Sequence, residues 1–327
     1  MSTTTAAPSQ KAARYRPGRV TTLLSSGVYA LLALVVLVGV LTSPQFRSPD
    51  NLINVLRSIS LVGIAALGMS FVVLCGSLVD LSVAATVSVS AVVMLRLSGS
   101  SVVVATVGAL VAALAVGVAN GYLIKRFRAN PILLTLATTT IVGGLLLIAT
   151  NSRVTYTRDP GLNDIVNARI VHVPVTVLVL VVLTAACHWV LTSTTWGHRL
   201  LAVGGNDRTA TYVGIDVGRV RLQAFVVCAV FAGLTGALLG SSLGSATPTA
   251  GTGYEFDALT AAVVGGTRLT GGRGSAVGVL AGAVLVGVLS NLLILSGAPY
   301  SLQQVVKGAL LVIVVALGQV FGGRHER

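Results

Sequence analysis

Long apolar runs alternate with short polar connectors along this chain, and the runs have the length of helices rather than strands. A helix needs about 20 apolar residues to cross the hydrocarbon layer of a bilayer. On that criterion the pattern predicts about ten crossings, at 21–41, 52–76, 83–98, 101–123, 132–150, 173–191, 222–245, 255–268, 275–295 and 303–321. The third and eighth runs are short and interrupted by Gly or Ser. The expected fold is all-α, a polytopic transmembrane helical bundle.

The ends differ from this pattern. Residues 1–20 are polar and rich in Ser, Thr, Ala and Pro, which predicts a disordered cytoplasmic tail. Residues 21–322 form the expected bundle, and 323–327 a short basic tail. The first apolar run is too long for a signal-peptide core and lacks an Ala-x-Ala-like cleavage site, so it is read as a span. With the N-terminus inside, 15 of the 22 Lys and Arg residues fall on the inner side. That bias predicts cytoplasmic N- and C-termini and an even number of crossings.

Composition agrees with lipid as the solvent. Only 9% of the 327 residues are charged and mean hydropathy is +0.91, whereas a soluble surface demands about 25% charged residues. The net charge of +13 sits between the apolar runs, where it orients the bundle and meets lipid head groups, so no nucleic-acid partner is expected. Cys75, Cys187 and Cys228 lie scattered in apolar runs and the four His are dispersed, which predicts neither a disulfide framework nor a metal site.

Several chemistries are missing. The chain has no Gly-x-x-x-x-Gly-Lys-Ser/Thr phosphate loop, no His-Glu-x-x-His and no nucleophile elbow. No catalytic residue is assigned, and transport remains. The inner segment Thr192–Val220 carries the most local information. Gly204, Gly205 and Asn206 predict a turn, Asn206 or Asp207 a helix cap, and Gly214 a helix stop. One short helix results, either a docking element for a cytoplasmic partner or a capped connector.

Other candidates lie within the bundle. A carboxylate buried in lipid must be paired, hydrated or functional, so Asp80 is either a pathway residue or a cap for the helix that begins after Ser82. Ser82 beside Asp80 is a further pathway candidate, and Asn120, Asn130, Thr135, Asn291 and Gln303 are polar groups that face a wet path or bond between helices. Glu255 and Asp257 close the Gly/Thr/Pro-rich stretch 244–257 and read either as sugar contacts or as helix-start acids. A faint internal echo links 67–77 with 258–267, each an apolar run ending in small residues.

Several stretches occur in an order that resembles the permease subunits of ribose-type ATP-binding-cassette importers. They are Asp80-Leu81-Ser82, Asn130-Pro131, the Gly204–Ile215 segment, Gly244–Ala258 and Val264–Ser275. The resemblance covers about residues 50 to 318. It implies a monosaccharide permease in a bacterial inner membrane, a second permease copy, a cytoplasmic ATPase that uses ATP and Mg, and an extracytoplasmic sugar-binding protein. It also implies that Gly204, Gly205, Asn206, Asp207, Arg208, Ala210 and Gly214 belong to an ATPase-coupling helix, and it assigns no cofactor to this chain. The family usually places Glu-Ala-Ala-Arg after the Asn; here Asn206 is followed by Asp207 and then by Arg208, Thr209, Ala210 and Thr211. The rival reading is a secondary transporter driven by an ion gradient, with Asp80 as its membrane-embedded acid.

Overall fold

The computed structural model describes residues 19–77, 79–170 and 173–322. The tails expected over 1–20 and 323–327 therefore lie outside the described residues, apart from Arg19 and Val20 at the start of the first helix. The helices are α1 (Arg19–Thr42), α2 (Pro49–Leu74), α3 (Val83–Leu97), α4 (Val102–Phe127), α5 (Pro131–Thr150), α6 (Pro160–Asn167) and α7 (Val175–Ser193). They continue with α8 (Thr195–Gly205), α9 (Asp207–Tyr212), α10 (Val217–Leu243), α11 (Tyr254–Val264), α12 (Ala276–Leu295) and α13 (Tyr300–Gly322).

Each predicted apolar run is a helix, and the caps are where short polar side chains precede the runs. The Ser48, Ser101, Asn130, Asp216 and Ser275 side chains each accept an amide from the first turn that follows. Two elements were not anticipated. The polar loop after α5 contains α6, and the segment 192–220 holds two helices, α8 and α9, where one was expected. Two-residue strands also pair across connectors: β1 (Thr155–Tyr156) with β4 (Ser245–Ala246), and β2 (Arg169–Ile170) with β3 (Val173–Pro174).

Among the described residues, six helices (α2, α4, α5, α7, α10 and α12) are long and apolar enough to cross a membrane. The helices α1 and α13 are also long, at 24 and 23 residues. The expectation of about ten full spans needs correction at α3 and α11. With 15 and 11 residues, they reach roughly 22 and 16 Å at 1.5 Å per residue, short of the roughly 30 Å hydrocarbon layer. Both start inside the bundle. After α2 the chain folds back, so that the Asp80 amide meets the Met69 sulfur at 3.5 Å, about a turn and a half before the end of α2. After α10 it folds back again, and the Gly251 amide donates to Ser88 Oγ on α3 at 2.8 Å.

These two folds are related. The helices α2–α5 and α10–α13 repeat one arrangement with opposite direction. The long helices α2 and α10 run antiparallel, with Gly68 against Cys228 and Phe231 while the Thr235 hydroxyl reaches the Leu61 carbonyl. Gly117 and Gly121 of α4 pack on Ala229 and Leu222 of α10; in the other unit, Ala283 and Gly287 of α12 pack on Gly63 and Ile59 of α2. The echo between 67–77 and 258–267 is real in conformation but is not this repeat. Gly76 and Gly266 cap α2 and α11 with the same left-handed turn, whereas the packing pairs α2 with α10 and α3 with α11.

Close crossings depend on missing side chains. A Cβ on Gly236 of α10 would lie 2.2 Å from the Val87 carbonyl oxygen of α3, and one on Gly282 of α12 2.0 Å from that of Ala261 on α11. Both neighbours are helix backbone and cannot rotate away. Gly236→Val and Gly282→Val should each lower stability by about 1–3 kcal/mol or more through forced separation of the helices. Thermal midpoints in detergent check this, with Gly143→Ala, which has nothing within 4 Å, expected to stay at the wild-type value.

Candidate translocation pathway and coupling surface

The start of α3 is held by polar groups from three directions. Asp80 Oδ1 accepts from the Ser82 amide at 2.9 Å and from its hydroxyl at 2.5 Å. Asn120 Nδ2 on α4 donates to Ser82 Oγ at 2.9 Å, and Thr138 on α5 donates to Asn120 Oδ1 at 2.6 Å. Thr135 Oγ1 receives the Leu81 amide at 3.1 Å, while the Thr139 hydroxyl donates to the Leu81 carbonyl at 2.7 Å. Four candidates, Asp80, Ser82, Asn120 and Thr135, thus meet in one buried network. Asp80 has no cation partner among the described residues; its carboxylate accepts the Ser82 amide and hydroxyl in the turn just before α3, and no side chain caps the first turn of that helix. Sequence reasoning missed Thr138 and Thr139. The Thr135, Thr138, Thr139 spacing on one helical face was the available signal.

The start of α11 is held in the corresponding way by α13. Asp257 Oδ2 pairs with Lys307 Nζ at 2.8 Å, with both side chains about seven-eighths buried. Asp257 Oδ1 has no partner and is buried. Glu255 accepts the Gly253 amide at 2.9 Å, which makes it the helix-start acid for α11. Gly253, at φ +97, sits against Gln304 and Tyr300 of α13. Lys307 was counted in the sequence only as an orienting charge; a lone cation in an apolar run was the signal for a buried partner. Two candidates fall outside both networks. Asn291 exchanges amide hydrogen bonds with Asn51 at 3.1 and 2.8 Å, tying α12 to the first turn of α2. Gln303 donates to the Ala298 carbonyl and closes its own helix start.

At the end of the bundle bearing α8 and α9, backbones meet without side chains. Gly204 lies in the last turn of α8, where a Cβ would be 1.8 Å from the Leu74 carbonyl oxygen at the end of α2. That carbonyl accepts the Gly272 amide at 2.9 Å from the loop between α11 and α12. Gly271, at φ +85, touches Gly76 and Gly204. A Trp196–Phe71 stack at 5.5 Å and a Trp196 Nε1 to Gln223 hydrogen bond at 2.8 Å fasten the other end of α8 to α2 and α10.

Beyond this junction, α9 stands in the open. Asn206 caps it by accepting the Thr209 amide, and Gly214, at φ +82, ends it. Gly204 and Gly205 belong to the helix before it rather than to a free turn. Ala210 is buried, while Asp207 and Arg208 are exposed. Asp207 pairs with Arg221 at 3.4 Å. Asp216 pairs with Lys125 at 3.0 Å, and the Arg219 amide, then Lys125, hold its carboxyl below the usual range. Both pairs are largely in solvent and contribute little to stability.

Residues 51–315 match the family described as branched-chain amino acid transport system, permease component. The chain belongs to that permease family. It is 37% identical over 291 residues to the ribose import permease protein of Bacillus subtilis, covering 88% of this chain and 90% of the relative. It is 32% identical over 309 residues to the L-arabinose ABC transporter permease protein of Azospirillum brasilense, covering 94% and 91%. The D-allose transport system permease protein of Escherichia coli K12 is 30% identical over 298 residues, covering 90% and 91%. No solved structure matches the chain. As a family member the protein is a multi-pass permease of the bacterial inner membrane, a transport component rather than a catalytic subunit. Permeases of this family work with ATPase and binding-protein partners, which decides against a transporter that acts alone on an ion gradient.

The Asp257–Lys307 pair yields a sharp test. Removing one partner leaves a buried charge, which costs about 3–5 kcal/mol, whereas removing both charges is often close to neutral. Lys307→Met should therefore lower the thermal midpoint far more than Asp257→Asn with Lys307→Met together. Equal losses would show that the pair is not desolvated.

Proposed function

We propose that this chain forms the translocation pathway of an ATP-driven importer for monosaccharides, with ATP and Mg consumed by a separate ATPase and no cofactor of its own. The single observation that carries the mechanism is the glycine junction. There α8 touches the end of α2 and the loop after α11 backbone to backbone, with no flexible side chain between. A push on α9 reaches both repeat units through rigid contact. Since α3 and α11 begin inside the bundle next to those units, a small tilt moves both half-helices.

The sugar assignment is supported by the relatives, whose names specify ribose, L-arabinose and D-allose. It is supported too by the polar groups around α3, hydroxyls and an amide beside the Asp80 carboxylate, which are groups that hydrogen-bond a polyol. We further infer cytoplasmic termini, with α9 on the cytoplasmic side and α6 outside, and a functional unit of two permease copies. The coupling segment is Gly204 to Gly214.

Uptake in proteoliposomes with the ATPase and the binding protein tests the reading: ribose-class sugars should accumulate with ATP and leucine should not. Gly204→Ala should cut sugar-stimulated ATPase activity about tenfold or more, because nothing at the junction can yield. Gly205→Ala, with no atom within 4 Å of its added methyl, should retain it. Orientation is checked by impermeant labelling, with Arg158→Cys expected to react from outside and Arg208→Cys only after the membrane is opened.

A further inference from the structure

We propose that the ATPase partner meets α9 with an acidic rim around an apolar pocket. This rests on the coupling role proposed above and adds the chemistry of the partner's surface.

The charges on this face are arranged unevenly. Its two exposed acids are each neutralised within the chain, Asp207 by Arg221 and Asp216 by Lys125. Arg199 on α8, Arg208 on α9 and Arg219 on α10 are exposed and make no salt bridge among the described residues. Arg199 and Arg219 line a groove of about 540 Å³ at the foot of α9, whose floor includes Trp196 and Ile215. At the end of α9, Tyr212 is 89% and Val213 71% exposed.

An inner excess of basic residues explains the sign of this charge, but it is served by arginines anywhere on the face. It does not account for two bare side chains, one aromatic and one aliphatic, at the end of a capped helix, with Val213 sharing its groove with Arg199 and Arg219 and the nearby acids already paired. An interface with a desolvated aromatic anchor and a complementary charged rim has this composition. The partner must then supply carboxylates, since an electropositive rim would be repelled.

The test uses the purified complex of the full-length chain with its ATPase, and reads its dissociation as NaCl is raised. Arg199→Glu with Arg219→Glu should weaken the complex about tenfold or more at low salt and flatten the salt dependence. Arg199→Lys with Arg219→Lys should restore most of both. Tyr212→Ala should weaken the complex without changing the salt slope. Cysteines at Arg208 and Tyr212 report separately whether α9 touches the ATPase at all. A cross-link with unchanged affinity and salt slope in the reversal variant overturns the acidic rim and leaves coupling intact. No cross-link overturns the coupling reading itself. A reversal variant that keeps its ATPase but loses co-purifying anionic phospholipid assigns the arginines to the bilayer and also overturns the proposal.

Discussion

Lipid gives helices no hydrophobic reason to associate, because a tail is as apolar as a leucine side chain. The bundle must instead gain its stability from close backbone approach and from hydrogen bonds that find no competitor in the hydrocarbon. That constraint explains the residues at the crossings. Gly117 and Gly121 on α4, Gly233 and Gly236 on α10, and Gly282 and Gly287 on α12 all sit where a side chain would collide with a neighbour. The helix buried on most sides, α2, is also the one that touches α10, α11 and α12. It is the common wall of the two repeat units.

The same constraint makes the half-helices possible. A helix that begins inside a bundle exposes amides that hydrocarbon cannot satisfy. Here α4 and α5 supply Asn120, Thr135, Thr138 and Thr139 at the start of α3; at the start of α11 Glu255 accepts the Gly253 amide, and α13 supplies Lys307 to the Asp257 carboxylate. The two solutions differ in chemistry, one neutral apart from the capped Asp80 and the other a buried ion pair. They occupy corresponding places in the inverted units. Polar residues that look scattered along the chain are therefore concentrated at two points of the fold, where backbone would otherwise be unpaired.

At the α8–α9 end, the stiffest contact in the molecule is one with no side chains in it. Gly76, Gly204, Gly271 and Gly272 bring three chain segments to van der Waals distance, and Gly76, Gly271 and Gly272 adopt left-handed φ that other residues resist. Rigid backbone contact transmits displacement with little loss, whereas long side chains absorb it. The exposed α9 projects beyond this junction, so an element open to solvent is anchored on close backbone contacts of the interior.

The sequence by itself determined the solvent, the helical class and the place of each long helix, because apolar run length and short polar caps are local properties. Asn206 and Gly214 were legible for the same reason, since a cap and a stop act on their own turns. It did not reveal α6, whose polar segment lacks a long apolar run, or α8, which was merged with its neighbour because Gly204 and Gly205 look like a turn. The inverted repeat, the meeting of Asn120 with Thr138, the partner of Lys307 and the contact of Gly204 with Leu74 were decided only by the tertiary structure. Each depends on which helix lies beside which, and in lipid that is settled by backbone shape rather than by any pattern along the chain.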